Sequence, residues 1–294
     1  MILLTGASGY IGGYLLDTLI ETFGRDQIAA LTSTPIHKCR FLLHNNYRFG
    51  NEFFVNSGFS EIDTIIHAGA FTPKFSSESD NIEQCTSNIN NTFKLISASL
   101  PQLQKFILLS TLDVYGYDIP ITEESLVNPI SLYGQSKSYC EKLIAVWANK
   151  NDIRHQILRI GHVYGPGEEK YQKLIPVVMK QIISNETVKL YGNGDDIRTF
   201  IYISDVVQSI IASIRLEASN EIINVVGEEQ ISIKNLINEI IKLSGKNTLI
   251  EKIESDTKPR NLIFNNTKLK KLLHIPNVPL SIGLKNEWEY FKKL

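Results

Sequence analysis

Tyr133 and Lys137 stand four residues apart in Y-G-Q-S-K, at the start of a stretch with helical patterning. Residues at i and i+4 share one helix face, so the lysine ammonium can lie beside the phenol. A free phenol titrates near ~10. A fixed positive charge favours the phenolate and lowers that value, which makes Tyr133 a general acid or base usable near neutrality. Many helices carry a Y-x-x-x-K match by chance, so its meaning depends on the elements that position it.

The first of those elements opens the chain. Ile2-Leu3-Leu4-Thr5 reads as a buried strand, Gly6-Ala7-Ser8-Gly9-Tyr10-Ile11-Gly12 as a glycine-rich turn, and Tyr14 to Ile20 as a helix. Strand, turn and helix in that order form the dinucleotide-binding context. The glycines let backbone approach a pyrophosphate, and the N–H groups at the helix start cradle its charge. The spacing is G-x-x-G-x-x-G, one residue longer than the common G-x-G-x-x-G. A second strand, Gln27 to Leu31, ends at Thr32-Ser33. NAD-selective folds place Asp or Glu there, on the ribose hydroxyls. With no carboxylate present, and Lys38 and Arg40 a few residues on, the sequence predicts NADP(H) in preference to NAD(H).

Further along, Tyr47-Arg48-Phe49-Gly50 reads as a short third strand and Ile62 to Ile66 as a fourth, ending in His67-Ala68-Gly69-Ala70. Small residues at that end leave room for a cofactor across the sheet edge. His67 reads as a hydrogen-bonded strand-end histidine, with nothing nearby to suggest a metal or a base. A helix carrying Ile89, Phe93 and Ile96 has Asn88 at its start. Phe106 to Leu109 delivers Ser110-Thr111 at a strand end, the Y-x-x-x-K helix runs to about Asn149, and Gln156 to Ile160 is a sixth strand before Gly161-His162-Val163-Tyr164-Gly165-Pro166-Gly167. The alternation predicts an α/β fold, a doubly wound parallel sheet covered on both faces. Residues 1–167 form the dinucleotide-binding domain and 168–294 a smaller substrate-binding lobe, with strands from about 199–226 returning to the first domain. In the lobe, Val188 to Tyr191 and Thr199 to Tyr202 flank a turn, and Ser232 can cap a helix.

The composition sets bounds on this reading. The chain has 294 residues, 43% hydrophobic, and a formal net charge of -1, enough for one large domain or two unequal ones. Near-neutral charge argues against nucleic-acid binding. No apolar run reaches the ~20 residues that span a membrane, and no signal-peptide pattern is present. Cys39, Cys85 and Cys140 form neither a C-x-x-C pair nor a disulfide framework, so a cytoplasmic protein with reduced thiols is expected, with Cys140 in the core and no metal site.

Taken in order, T-G-A-S-G-Y-I-G, I-I-H-A-G-A, Asn88, L-L-S-T-L-D-V-Y-G, L-Y-G-Q-S-K, L-R-I-G-H-V-Y-G-P-G, G-N-G-D-D-I-R-T-F-I-Y-I-S-D-V and K-P-R-N-L span residues 2 to about 261. The set resembles the extended short-chain dehydrogenase/reductases, the NAD-dependent epimerase/dehydratase family. The resemblance implies a Rossmann domain with a carboxy-terminal substrate lobe, acting on nucleotide-linked sugars. It makes Tyr133 the acid/base at a sugar oxygen, Lys137 its partner on the nicotinamide ribose, and Thr111 a hydroxyl donor to the same oxygen. Ser110 lines the nicotinamide pocket. Gly6, Ser8, Gly9, Tyr10, Ile11 and Gly12 surround the pyrophosphate, and Thr32, Asn51, Ala68, Gly69, Ala70 and Asn88 complete the cofactor site. Asn51 stands where relatives often have an adenine-binding Asp. On the substrate side the resemblance places His162, Arg198 and Arg260, the arginines suited to bidentate phosphate contacts.

Two departures stand out. His162 replaces an Asn common in epimerases. Where 4,6-dehydratases follow the threonine with Asp and Glu, this chain has Leu112 and Asp113, and leucine cannot deliver a proton. The leading reading is an NADP(H)-dependent 4-ketoreductase of a nucleotide-activated deoxysugar. A nucleotide-sugar 4-epimerase that retains NAD, and a non-catalytic NADP-sensing regulator on the same fold, stay open. Relatives often form homodimers through the Y-x-x-x-K helix.

Overall fold

Five apolar runs form the heart of the fold, because strands covered on both faces need apolar residues at every position. They are β1 (Ile2–Thr5), β2 (Ile28–Thr32), β4 (Thr64–His67), β5 (Lys105–Thr111) and β6 (Arg154–Ile160). With β3 (Arg40–Leu43) and β10 (Glu221–Val225) they make a seven-stranded sheet in the order β10-β6-β5-β4-β1-β2-β3, parallel throughout. The structure, a computed structural model, describes residues 1–116, 120–218, 220–255, 261–275 and 277–294.

Side chains alternate between the two faces. Leu4, Ile66, Ile107 and Leu158 pack with α1 (Tyr10–Phe23) and, from further along the chain, α6 (Ile203–Arg215) and α8 (Thr267–Leu273). Leu3, Ile65, Phe106 and Ile157 pack with α3 (Ile82–Ile96) and α4 (Leu132–Lys150). The strand order reverses between β1 and β4, and the crevice at their carboxyl ends is where such sheets bind ligands.

Two details differ from the sequence expectation. The third strand is β3, not Tyr47-Arg48-Phe49-Gly50. Asn46 and Tyr47 take positive φ of 47° and 54°, and Phe49 stacks on Phe53 of the short α2 (Phe53–Asn56) with centroids 4.7 Å apart. The aromatics of that segment fill the space beneath the sheet edge instead of extending along it. Asn88 does not start α3 but lies in its middle. The N-cap is Asn81, whose side chain accepts from the Gln84 N–H at 3.0 Å, as short polar side chains do at helix starts.

The remaining elements are β7 (His162–Tyr164), α5 (Leu174–Ile183), β8 (Val188–Tyr191), β9 (Ile197–Tyr202), β11 (Gln230–Ser232), α7 (Ile233–Ser244), β12 (Ile250–Ile253) and α9 (Leu280–Phe291). β8 and β9 flank their turn without pairing. β8 pairs with β12, and β9 with β7 and β11. Their core gathers Ile175, Met179, Leu190, Ile237, Leu284 and Trp288. The Ser232 hydroxyl caps α7 by accepting from the Asn235 N–H at 3.2 Å. The three cysteines are buried thiols, with Cys140 inside the core beneath α4. Among the described residues no helix is long and apolar enough to cross a membrane, and no cluster of potential metal ligands occurs.

The seam between sheet and lobe holds two carboxyls. Glu287 of α9 and Glu168, just after β7, are 0% and 1% exposed. The two carboxyls face each other, and the nearest cation is the Lys173 ammonium, 3.3 Å from Glu168. Two like charges cannot share such a site, so one carboxyl stays protonated. Burial, reinforced by Glu168, pushes Glu287 up to about 10. A carboxyl raised on folding contributes stability that is complete below its ordinary value near 4.5 and is lost as pH rises toward 10. Glu287→Gln keeps the shape and removes the ionisation. Its melting temperature should therefore gain on the wild type more at pH 9 than at pH 6, bounded by about 1.4 kcal/mol per pH unit for one proton. Thermal melts decide it: an equal difference at both pH values would show that this carboxyl does not titrate in the window.

Candidate active site

The glycine turn is shaped for close approach. Gly6 has φ of +73°, and a Cβ there would lie 2.7 Å from the Gly69 backbone. A Cβ on Gly12 would collide with the Gly6 carbonyl oxygen. The Gly9 N–H donates to that same carbonyl at 2.9 Å. Gly9 caps α1 with no side chain, so the first N–H groups of the helix remain for an anion. Glycine at these positions lets the turn close on the neighbouring backbone, and the free N–H groups at the helix start fit a dinucleotide pyrophosphate. Behind it, Thr5 Oγ1 accepts from the Gly69 N–H at 2.8 Å and bonds His67 Nδ1 at 2.8 Å, while His67 Nε2 meets Thr92 Oγ1 at 3.1 Å. Burial, and then the charge of Lys137, pushes His67 down to about 3. It is a neutral histidine fastening the ends of β1 and β4, as its sequence setting predicts.

Tyr133 and Lys137 lie in the first two turns of α4, which Ser131 caps by accepting from the Gly134 N–H at 3.1 Å. The helix start is tied down by the Tyr133 N–H donating to Ser79 O at 2.8 Å and the Leu132 N–H to Asp80 at 2.8 Å. Thr111 ends β5. A cavity of about 790 Å3 brings Thr111, Tyr133 and Lys137 together with Gly6, Gly9, Tyr10, Ile11, Gly12, Ala68, Ala70, Ser110, His162 and Arg198. Tyr10 also braces the site, its hydroxyl donating to Gly165 O at 2.8 Å.

Other expected residues stand apart from the cavity lining. Ser8 is exposed on the turn. Thr32 is buried and its hydroxyl donates to Thr34 O at 2.9 Å. Asn51 is exposed, and its carbonyl accepts from the Ser99 N–H at 2.7 Å. Gly69 lies behind the turn. Asn88 supports from beneath, accepting from the Phe71 N–H at 2.7 Å and donating to Phe71 O at 3.2 Å and to Ser136 at 3.3 Å. Arg260 lies outside the described residues.

The electrostatics correct one expectation. Tyr133 is 7% exposed, and burial raises its pKa, with the charge of Asp113 adding to the rise and hydrogen bonds to Thr72 and Thr111 opposing it. Lys137 is pushed down by its own burial, against the influence of Cys140 and Glu141. Desolvation of both groups outweighs the attraction that their spacing provides, so the phenol is held in its protonated form by the protein alone.

A polar network behind the site escaped the sequence reading. Arg159 of β6 grips Glu141 of α4 with two bonds, Nε to Oε1 at 3.0 Å and an NH2 group to Oε2 at 2.7 Å. Its other arm donates to the Tyr115 hydroxyl at 2.7 Å, which donates to Asn224 at 2.8 Å. The signals were present: Glu141 extends the Tyr133–Lys137 face by one turn, and an arginine interrupts an apolar strand.

A doubly wound sheet with a glycine-rich turn at its switch point, and a tyrosine and a lysine one helix turn apart beside it, has the form of a Rossmann-type protein of the extended short-chain dehydrogenase/reductase class. The chain belongs to the NAD dependent epimerase/dehydratase family, whose model matches residues 2–226. It is 29% identical over 313 residues to an uncharacterized UDP-glucose epimerase of Bacillus subtilis, covering 100% of this chain and 98% of that protein. To the dTDP-D-glucose 4,6-dehydratase of Bos taurus it is 26% identical over 317 residues, covering 99% and 88%. Among solved structures it matches the UDP-glucuronic acid 4-epimerase from Bacillus cereus in complex with UDP-glucuronic acid and NAD, with a TM-score of 0.84, 28% identity and 99% of each chain covered.

The expectation of NADP(H) is corrected. The solved Bacillus cereus epimerase holds NAD, and the cations invoked for a 2′-phosphate are engaged elsewhere. Lys38 pairs with Asp17 at 2.6 Å, and Arg40 pairs with Glu61 at 2.7 Å while lying over the Phe59 ring.

Proposed function

We propose that the protein is an NAD-dependent epimerase that inverts carbon 4 of a nucleotide-linked sugar. The observation that carries this reading is the meeting of Thr111, Tyr133 and Lys137 in one cavity with the glycine cradle, beside a leucine where a dehydratase needs an acid. Leu112 is buried in an apolar cluster with Val114, Tyr115 and Ile121, so no proton donor stands there. The ketoreductase reading leaned on NADP(H), and Lys38 and Arg40 no longer support it.

In this reading Gly6, Gly9 and Gly12 hold the pyrophosphate, and Lys137 faces the nicotinamide ribose. NAD, when bound, supplies the two-electron acceptor and adds a positive charge to the cavity. That charge favours the phenolate of Tyr133, which takes the proton of the 4-hydroxyl and returns it to the same oxygen. Thr111 holds that oxygen in place, His162 contacts the sugar, and Arg198 and Arg260 take the diphosphate. The outer faces of α3 and α4 expose Ile82, Phe93, Tyr139 and Val146, and we propose that a second copy covers them, which the mass from sedimentation velocity decides.

The test of function is incubation with UDP-glucose and separation of the products by chromatography. Inversion to UDP-galactose with no net change in nicotinamide absorbance is expected. A 4-keto-6-deoxy product, or stoichiometric consumption of a reduced nicotinamide with a keto sugar, would overturn the proposal.

A further inference from the structure

Beside Lys137 the cavity wall carries a serine whose one hydrogen is already committed. Ser110 lies near the carboxyl end of β5, on the sheet face that α4 covers, and it lines the cavity. Its Oγ is 2.5 Å from Glu141 Oε1. Glu141 is 5% exposed and held by the two-bond grip of Arg159, itself 2% exposed. A carboxylate bound in this way only accepts hydrogen bonds, so Ser110 is the donor. The network cannot turn round. Arg159 has only hydrogens to give, so Tyr115 must accept from it and pass its own hydrogen to Asn224. A hydroxyl has one hydrogen and two lone pairs. Toward the cavity Ser110 therefore offers lone pairs alone.

We infer that Glu141 is a positioning residue that fixes Ser110 as a hydrogen-bond acceptor in the cavity, where it takes an N–H or O–H donor of the bound ligand. The inference rests on the cofactor and substrate reading above, which supplies two such donors: the carboxamide amine of the nicotinamide and a sugar hydroxyl. Thr111, on the opposite face of β5, is held instead by Asp113, donating to its Oδ2 at 3.2 Å and accepting from its N–H at 3.2 Å.

Calorimetric titration separates the two donors. NAD is compared with its 3-acetylpyridine analogue, in which a methyl group replaces the carboxamide amine. The wild type should favour NAD by about five- to tenfold, the worth of one hydrogen bond. Ser110→Ala leaves the Glu141–Arg159 pair intact and should bring the two affinities within about twofold. Glu141→Leu removes both acceptor oxygens, so the serine hydrogen can turn into the cavity, and it should narrow the discrimination as well. If the discrimination survives in Ser110→Ala while UDP-glucose affinity falls about five- to tenfold, the donor is the sugar hydroxyl and the inference stands. Unchanged discrimination together with unchanged UDP-glucose affinity overturns it. A wild type that binds neither dinucleotide overturns the cofactor reading instead, and the UDP-glucose titration still tests the serine.

Discussion

Tyr133→Phe is expected to lower turnover by about 100- to 10,000-fold, the usual cost of losing a general acid/base, while dinucleotide binding stays near that of the wild type. The substitution keeps the ring, which is buried and meets Phe71 edge-on at 6.4 Å. What disappears is one hydroxyl, together with its hydrogen bonds to Thr72 and Thr111. Helix α4 is held by Ser131, Asp80 and Ser79 through backbone contacts, so the position of Lys137 does not depend on that hydroxyl. Steady-state turnover on UDP-glucose, with NAD affinity measured on the same sample, separates the two effects. Near-normal turnover would remove Tyr133 from the chemistry. Equal losses in turnover and NAD affinity would show a collapsed site instead.

The cradle and most of the sheet were legible because their requirements are local. A buried parallel strand needs an unbroken apolar run, and a backbone that touches a ligand needs glycine. β3 was missed because Arg40–Leu43 is a half-exposed edge strand, while the aromatic run at Tyr47–Gly50 looks more strand-like than it is. The helix spacing showed that Tyr133 and Lys137 share a face but not that α4 buries both, and burial decides the sign of the phenol's shift. Charge partners were equally hidden. Lys38 and Arg40 find Asp17 and Glu61, each 21 positions away, so a pair of cations that looked available for a phosphate was already occupied. The Ser110–Glu141–Arg159 network joins three elements, and no single window of sequence contains it.

Gly12→Ala and Gly13→Ala should act in opposite directions although they are neighbours in α1. At Gly12 the new methyl meets the Gly6 carbonyl oxygen at less than contact distance, with the backbone of Ala7 3.1 Å away. Neither neighbour is the tip of a flexible side chain, so the turn itself must move. Strain of about 1–3 kcal/mol is usual for an added methyl in a packed site. Displacing Gly6 also spreads the N–H groups proposed to hold the pyrophosphate. The strain should appear as a lower melting temperature, and the displaced N–H groups should lower NAD affinity by about tenfold or more, the loss of one or two hydrogen bonds. At Gly13 the nearest atom to an added Cβ is Ala7 O at 3.9 Å, an ordinary contact. There the methyl only reduces the freedom of the unfolded chain, which stabilises a helix by about 0.5–1 kcal/mol. Gly13→Ala should therefore melt higher than the wild type and bind NAD as the wild type does. Calorimetry and thermal melts on both variants give four numbers. If Gly12→Ala binds NAD as tightly as Gly13→Ala, the turn of Gly6 to Gly12 is not the cradle, and the dinucleotide must lie elsewhere in the cavity.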